Sequence, residues 1–323
     1  MAALTETGAP ALLDLREVRA PDLEPLLTEE VSVWRSLLDW DFQPSADLVR
    51  RFVGIRALNG FALTSGRELI GYSYFVLEES KGLVGDLYVR QQFRCAAYED
   101  RLLEAAVDQM SRLSRIQRVE AQLMHLPDSL ERPVPFLRNL TRHRRDLMAL
   151  DCAGIARLPQ GRVAGDYRIE PWSRRMQEPA ARVIAAAYAD HIDSNINDQY
   201  RTVAGARRFL LNVVQYPGCG TFFQPGSWLA VDTATGELAG ISLASLVAPE
   251  VGHITQICIV PEARGRGLGY ELLRQTLDGL AARGCHKVSL TVTAANREAI
   301  TLYERTGFRV MHSFAAYVWE GFR

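Results

Sequence analysis

The sequence predicts an α+β protein made of two tandem copies of one unit, each a mixed β-sheet flanked by helices. Three observations carry that expectation. The first is internal repetition: GLVGDLYVRQQFRCAAYEDRLLEAAV, from Gly82, matches GHITQICIVPEARGRGLGYELLRQTL, from Gly252, as strand, loop and helix in the same order. Gly82 falls on Gly252, Arg94 on Arg264, and Leu102–Leu103 on Leu272–Leu273. The second is that stretches of alternating apolar residues interleave with stretches of helical spacing in both halves. The third is the aperiodic, glycine-containing segment DCAGIARLPQGRVAGD, which reads as a linker between the copies. The expected layout is a loose tail over 1–13, a first domain over 14–150, a linker over 151–165 and a second domain over 166–323.

The elements of the second half follow in order. YRIEPW is a short strand, and EPAARVIAAAYADH and AGARRFLLNVV have helical spacing, the latter ended by YPGCG. SWLAVD and ELAGISLASLV form a hairpin around Thr233–Gly236, because alternating apolar residues flank a turn. HITQICIV is a mostly apolar strand, and GYELLRQTLDGLAARG is an amphipathic helix stopped by Gly284. KVSLTVT is a buried strand, REAITLYERTG a short helix ended by Gly307, and FRVMHSFAAYVWE closes the domain. The first half repeats this with WRSLLDW, ADLVRRFVGI, GFALTSGRELIGYSYFVL and GLVGDLYV.

Composition narrows the function classes. The 48% apolar and 23% charged fractions are those of a globular chain. A net charge of −1, from 37 basic and 38 acidic residues, supplies no electrostatic reason to expect nucleic acid or an anionic membrane as partner. No apolar run approaches the roughly 18–20 residues that span a bilayer. The opening MAALTETGAPALL has neither the basic start nor the apolar core of a signal peptide. Five cysteines (Cys95, Cys152, Cys219, Cys258, Cys285) without a C-x-x-C spacing argue against a disulfide framework and against a structural metal. A reducing cytoplasm is the expected setting.

The most informative stretch is VPEARGRGLGYELL, where Gly265, Gly267 and Gly269 precede a leucine-rich helix. A strand leading through glycines into a helix start binds phosphates, because first-turn N–H groups lack intrahelical partners and the helix dipole adds positive potential. Arg264 and Arg266 can add charge-assisted bonds. The P-loop needs a lysine that is missing here, and the dinucleotide pattern GxGxxG fails because the glycines are spaced GxGxG. The pattern [Q/R]-x-x-G-x-[G/A] fits through Arg264, Gly267 and Gly269. Further on, LTVTAANREAITLYERTGF offers Asn296, Ala299, Tyr303 and Gly307–Phe308. Read locally, Asn296 caps the helix that begins near Arg297, and Tyr303 is a core aromatic or a functional hydroxyl.

These two motifs together resemble those of the GNAT (Gcn5-related N-acetyltransferase) superfamily, and the resemblance extends over both halves in the tandem arrangement that some members have. It implies that HITQICIV and KVSLTVT splay apart to admit the pantetheine arm of acetyl-CoA. Gly265, Arg266, Gly267, Leu268, Gly269, Arg264 and Asn296 then line the cofactor channel, and the backbone of Ile257, Cys258 and Ile259 polarises the thioester carbonyl. An amine of a small molecule attacks directly, with no metal required. Tyr303 stands at the position of the superfamily's general acid. Many members carry a glutamate on the strand before the glycine loop; here His253 and Gln256 stand there, with Glu250 upstream, and His253 is the expected base or water relay. Cys258 reads as a small buried residue, since direct transfer needs no acyl-cysteine. The polar stretch ADHIDSNINDQYRT is either a lip of the acceptor site or a solvated loop, and Trp40 and Asp41 are minor acceptor-site candidates.

The matching loop of the first half keeps Arg94 but replaces the glycines with Cys95, Ala97 and Glu99. Each side chain obstructs backbone approach, and PVPFLRNL offers no tyrosine at the place of Tyr303. The first copy is therefore expected to have lost catalysis.

Overall fold

A computed structural model describes residues 10–322 apart from 128, 164, 217 and 219. Residues 1–9 of the expected tail and Cys219 lie outside the described residues. In chain order the elements are β1 (Ala11–Asp14), α1 (Glu24–Leu38), α2 (Gln43–Gly54), β2 (Asn59–Ser65), β3 (Glu68–Glu78), β4 (Lys81–Val89), α3 (Ala96–Ser111) and β5 (Arg118–Gln122). They continue with β6 (Leu140–Asp151), β7 (Tyr167–Pro171), α4 (Gln177–Ala187), α5 (Val203–Gln215), β8 (Thr221–Phe222), β9 (Trp228–Asp232) and β10 (Leu238–Ala248). The last are β11 (Val251–Ile259), α6 (Leu268–Ala282), β12 (Lys287–Thr293), α7 (Arg297–Thr306) and β13 (Arg309–Glu320).

The chain packs as two units whose limits differ from the expected layout. The first takes in the residues up to Leu38, Phe42–Arg144 and the stretch from Phe314 on; the second takes in Asp39–Asp41 and Arg145–Ser313. Each sheet thus gains an edge strand from the other half of the sequence. In the first unit, Ala316–Glu320 of β13 run antiparallel to Gln122–Arg118 of β5. In the second, Arg145–Asp151 of β6 run antiparallel to Thr293–Lys287 of β12. Ala11–Asp14 is not tail but a strand paired with β2. An alternating apolar pattern says that a strand is half-buried, not which of two similar sheets it will join, so this exchange leaves no trace in periodicity.

In the first unit, β4 and β5 pair in parallel and the remaining neighbours antiparallel. Its core joins Leu102, Leu103, Val107 and Met110 of α3 to Val84 and Val119 of the sheet, with Tyr317 and Trp319 of β13 fully buried beside them. At the first turn of α3, where the second copy has glycines, Glu99 is only 3% exposed. It is not a bare negative charge: Arg94 donates to it over 2.9 Å and Arg132 over 2.5 Å, and Arg132 also reaches Asp100 and the carbonyl of Ala96.

The second unit has the strand order β6-β12-β11-β10-β9-β7, with β8 on β10. One face of the sheet carries α6, whose Leu273, Leu277 and Leu280 recur at helical spacing and pack on Ile254, Val288 and Leu290. The other face carries α4 and α5, where Ile184 and Leu210 meet Leu243 and Cys258. Residues 39–41 belong to this unit: the Asp41 N–H donates to the Val247 carbonyl over 2.7 Å, and Lys287 pairs with Asp39.

Candidate active site

The site begins with a fault in β11. Leu243 faces Gln256 but Ala244 faces Ile254, so Thr255 is an extra residue, a β-bulge that kinks the strand. Parallel pairing with β12 covers only Val251–Ile254 against Lys287–Leu290, although both strands run on, to Ile259 and Thr293. Past the bulge the strands part, and Ile257, Cys258 and Ile259 line a cavity of about 320 Å³, a size that suits a small-molecule site.

The glycine loop forms one end of that cavity. Gly265 and Gly267 have φ of 73° and 82°, a region that non-glycine residues rarely adopt. Gly267 is the N-cap of α6 and supplies no capping side chain, so the first-turn N–H groups stay available where Gly267, Leu268, Gly269 and Tyr270 line the cavity. A Cβ on Gly267 would sit 2.4 Å from the carbonyl oxygen of Arg162, because the segment after β6 lies over the loop; Gly161 N–H donates to Glu271 and the Tyr270 hydroxyl to the Pro159 carbonyl. Gly269 is different. Its φ is ordinary and a Cβ there would meet only Leu302, at 3.7 Å, so neither backbone nor packing requires glycine. What a side chain at 269 would enter is the cavity.

Arg264 lines the cavity and donates to the carbonyl of Ala187 over 2.9 Å, which ties the loop to the C-terminal end of α4. Arg266 is not in the cavity wall; its guanidinium lies 5.6 Å from the Tyr167 ring centre and 3.7 Å from an Asp166 oxygen.

The opposite wall is α7. Asn296 caps it by accepting the Ala299 N–H over 3.2 Å, and Gly307, at φ 105°, ends it while Phe308 N–H bonds back to the Tyr303 carbonyl over 3.0 Å. These two stops fix the helix so that Tyr303, 6% exposed, faces the cavity. Burial is the main cause that pushes the Tyr303 phenol well above its ordinary range, and its hydroxyl has no hydrogen-bond partner among the described residues. It therefore holds a proton at neutral pH with nothing of the protein's own to give it to. Cys258 is pushed up to about 12 by burial, so it stands there as a neutral thiol and not as a nucleophilic thiolate.

His253 is not brought to this cavity. It is buried, its Nδ1 lies 2.9 Å from the Ser289 hydroxyl, and its ring stands 5.1 Å from that of Trp40. Desolvation lowers it to about 4, which leaves it neutral and weakly basic at pH 7.

The structure adds Tyr188, which sequence patterning passed over, and draws in His191 and Asp193 from the polar stretch that the sequence left open between site lip and solvated loop. Tyr188, at the end of α4, lines the cavity, accepts from Gln256 over 2.9 Å and stacks on Tyr200 at 4.6 Å. His191 lines it as well, with Nε2 3.3 Å from the Asn296 amide nitrogen. Behind it Asp193 receives the Thr293 hydroxyl and faces Arg145 at 3.5 Å. Their signal in the sequence is faint: Tyr188 continues the apolar spacing of α4, and His191 and Asp193 sit in a stretch that reads equally well as solvated loop.

The family model described as "Acetyltransferase (GNAT) family" matches residues 199–308, a span that holds β11, the glycine loop, β12 and α7. Residues 199–308 form a GNAT-family domain. Among curated relatives, the mycothiol acetyltransferase of Beutenbergia cavernae is 37% identical over 98 residues, 30% of this chain and 33% of that protein. That of Thermobispora bispora is 28% identical over 272 residues, 81% of this chain and 83% of that protein. The chain thus spans about a third of the length of the first relative and most of the second. A GCN5-related N-acetyltransferase from Sphaerobacter thermophilus superposes with a TM-score of 0.67 at 17% identity, covering 96% of this chain and 95% of that one. A tandem GNAT protein from the clavulanic acid biosynthesis pathway does so with 0.59 at 18% identity, covering 96% and 98%. The GNAT fold therefore occurs twice in this chain, and the site just described lies within the second copy. Among the described residues no helix is long and apolar enough to cross a membrane.

Proposed function

We propose that the second unit is an acetyl-CoA-dependent N-acetyltransferase that moves an acetyl group to a primary amine of a small molecule by direct attack in a ternary complex. The observation that carries this reading is the meeting, in one cavity, of an uncapped glycine-rich helix start, two parted strands and a protonated Tyr303. Bound acetyl-CoA supplies an activated acetyl group on sulfur. The first-turn N–H groups of α6 and Arg264 would hold its pyrophosphate, and Gly269 leaves room for it. Backbone groups of Ile257–Ile259, released from β12 by the bulge, would take the pantetheine amides and the thioester oxygen. Tyr303 would give its proton to the departing sulfur. The four described cysteines are all free thiols, which suits the cytoplasm as the setting.

The names of the relatives favour a small-molecule amine over a protein or peptide amine. The test is release of free thiol from acetyl-CoA over a panel holding glucosamine, spermidine, a lysine peptide and the deacetylated form of mycothiol. Release that requires a small amine supports the reading. Release with the lysine peptide alone would replace the acceptor class, and no release with any amine would favour an acyl-CoA-binding protein without turnover.

The first unit fits only part of that last description, the absence of turnover. Arg132, held by Glu99 and Asp100, stands at the turn of α3 where a pyrophosphate would approach, so the unit fills the place with its own guanidinium. Titration calorimetry with acetyl-CoA is expected to give one site per chain; two sites would show that the first copy has kept cofactor binding.

A further inference from the structure

We infer that Tyr188 is a second catalytic donor of this site: its hydroxyl gives a hydrogen bond to the carbonyl oxygen of the acetyl group as that oxygen gains charge. The inference rests on the acetyltransferase reading above and adds to it a residue from the end of α4, outside both sequence motifs. The direction of one hydrogen bond carries it. The Tyr200 hydroxyl donates to Gln256 Oε1 over 3.3 Å, which turns the other end of that amide, Nε2, to the Tyr188 oxygen at 2.9 Å. An amide N–H only donates, so the Tyr188 oxygen is the acceptor of this bond. The hydrogen of the phenol must then go elsewhere, and among the described residues no group accepts it. Burial, with Cys258 and Asp193 nearby, raises the phenol well above its ordinary range, so the hydrogen stays on its oxygen at neutral pH. The ring itself is held, stacked on Tyr200 at 4.6 Å and edge-on to His191 at 5.2 Å.

The place of the donor fits the charge it meets. The Tyr188 hydroxyl stands against Gln256, just before Ile257–Ile259, where β11 has already parted from β12, and Tyr188 lines the cavity together with Cys258. That is the stretch at which the reading above seats the thioester oxygen. A donor is of no use to the attacking nitrogen, whose lone pair must stay free. On the α7 wall Tyr303 serves the departing sulfur, which leaves the oxygen to the phenol of the α4 wall. The electron count closes. The lone pair of the neutral amine forms the C–N bond while the carbonyl π pair moves onto oxygen, where β11 backbone and the Tyr188 O–H receive it. The pair returns as the C–S bond breaks, sulfur takes the Tyr303 proton, and the phenolate recovers one from the newly acylated nitrogen. Tyr188 keeps its hydrogen throughout.

The test uses the full-length protein and whichever amine of the panel above gives the fastest thiol release. Tyr188→Phe is expected to lower kcat about a hundredfold, with the Kd for acetyl-CoA within about twofold of wild type. The double variant Tyr188→Phe/Gln256→Leu, which leaves no amide without its acceptor, is expected to stay as slow as Tyr188→Phe. Acetyl-CoA isotope-labelled at the acetyl carbonyl, bound without amine, gives a direct readout by infrared difference spectroscopy. Its carbonyl stretch is expected at lower wavenumber on wild type than on Tyr188→Phe, because a donated hydrogen bond weakens the C=O bond. Equal carbonyl bands, Tyr188→Phe within about threefold of the wild-type kcat, or a double variant that regains the wild-type rate overturns the inference while the acetyltransferase reading stands. A wild type that releases no thiol with any amine overturns both.

Discussion

Tyr303→Phe is expected to lower kcat by ~10²–10³ while leaving the Kd for acetyl-CoA within about twofold, because only the proton donor is removed. The ring still packs against Phe308 at 5.9 Å, so the wall of the cavity is kept. Stability should hold, since the hydroxyl faces the cavity without a hydrogen-bond partner among the described residues and its removal orphans nothing. Pre-steady-state thiol release beside thermal melting separates the two effects. A variant that turns over as fast as wild type would remove Tyr303 from the acid role and leave sulfur to be protonated by water.

The glycine loop offers the second large effect, through a contrast between neighbours. Gly267→Ala meets two obstacles, a backbone at φ 82° and the Arg162 carbonyl 2.4 Å from the new methyl. Strain of that kind costs on the order of 1–3 kcal/mol, and relieving it must shift either the loop or the segment lying over it. A fall in Tm of several degrees is expected together with weaker acetyl-CoA binding. Gly269→Ala meets neither obstacle and lies in the first turn of α6, where alanine is worth up to ~1 kcal/mol over glycine; its Tm should hold or rise. Gly269→Leu should fold as well but weaken acetyl-CoA binding at least tenfold. Tight binding in Gly269→Leu would mean that the ligand does not pass that rim.

Much of this was legible in the sequence because it is local. The caps and stops of α6 and α7 are spelled out by Gly267, Asn296, Gly284 and Gly307, and the hairpin of β9 and β10 by its turn. The glycine-loop end of the cavity is a contiguous motif, so Gly265, Gly267, Leu268 and Gly269 could be found by reading along the chain. The far wall of the cavity and its support are assembled from distant pieces: Tyr188 and His191 from the end of α4, Gln256 from β11, Arg145 from β6. No spacing rule joins these. His253 misled for a related reason. By register it shares a face with Gln256 and Cys258, but it stands in the stretch of β11 still paired with β12, short of the point where the strands part to open the cavity. Two edge strands trading places is likewise a decision between equivalent patterns, made by packing.

That trade has a consequence for how the molecule comes into being. The first unit's core includes Tyr317 and Trp319, whose side chains donate to the carbonyls of Ser129 and Pro135 over 2.6 and 2.9 Å. A ribosome delivers those residues only after the whole of the second unit's sequence has been made. The earlier half of the chain must therefore wait, with the edge of β5 open and part of its apolar interior uncovered, while the later half emerges. Folding one domain at a time from the N-terminus, the usual course for multidomain chains, is closed to this protein; its older part is the one finished last.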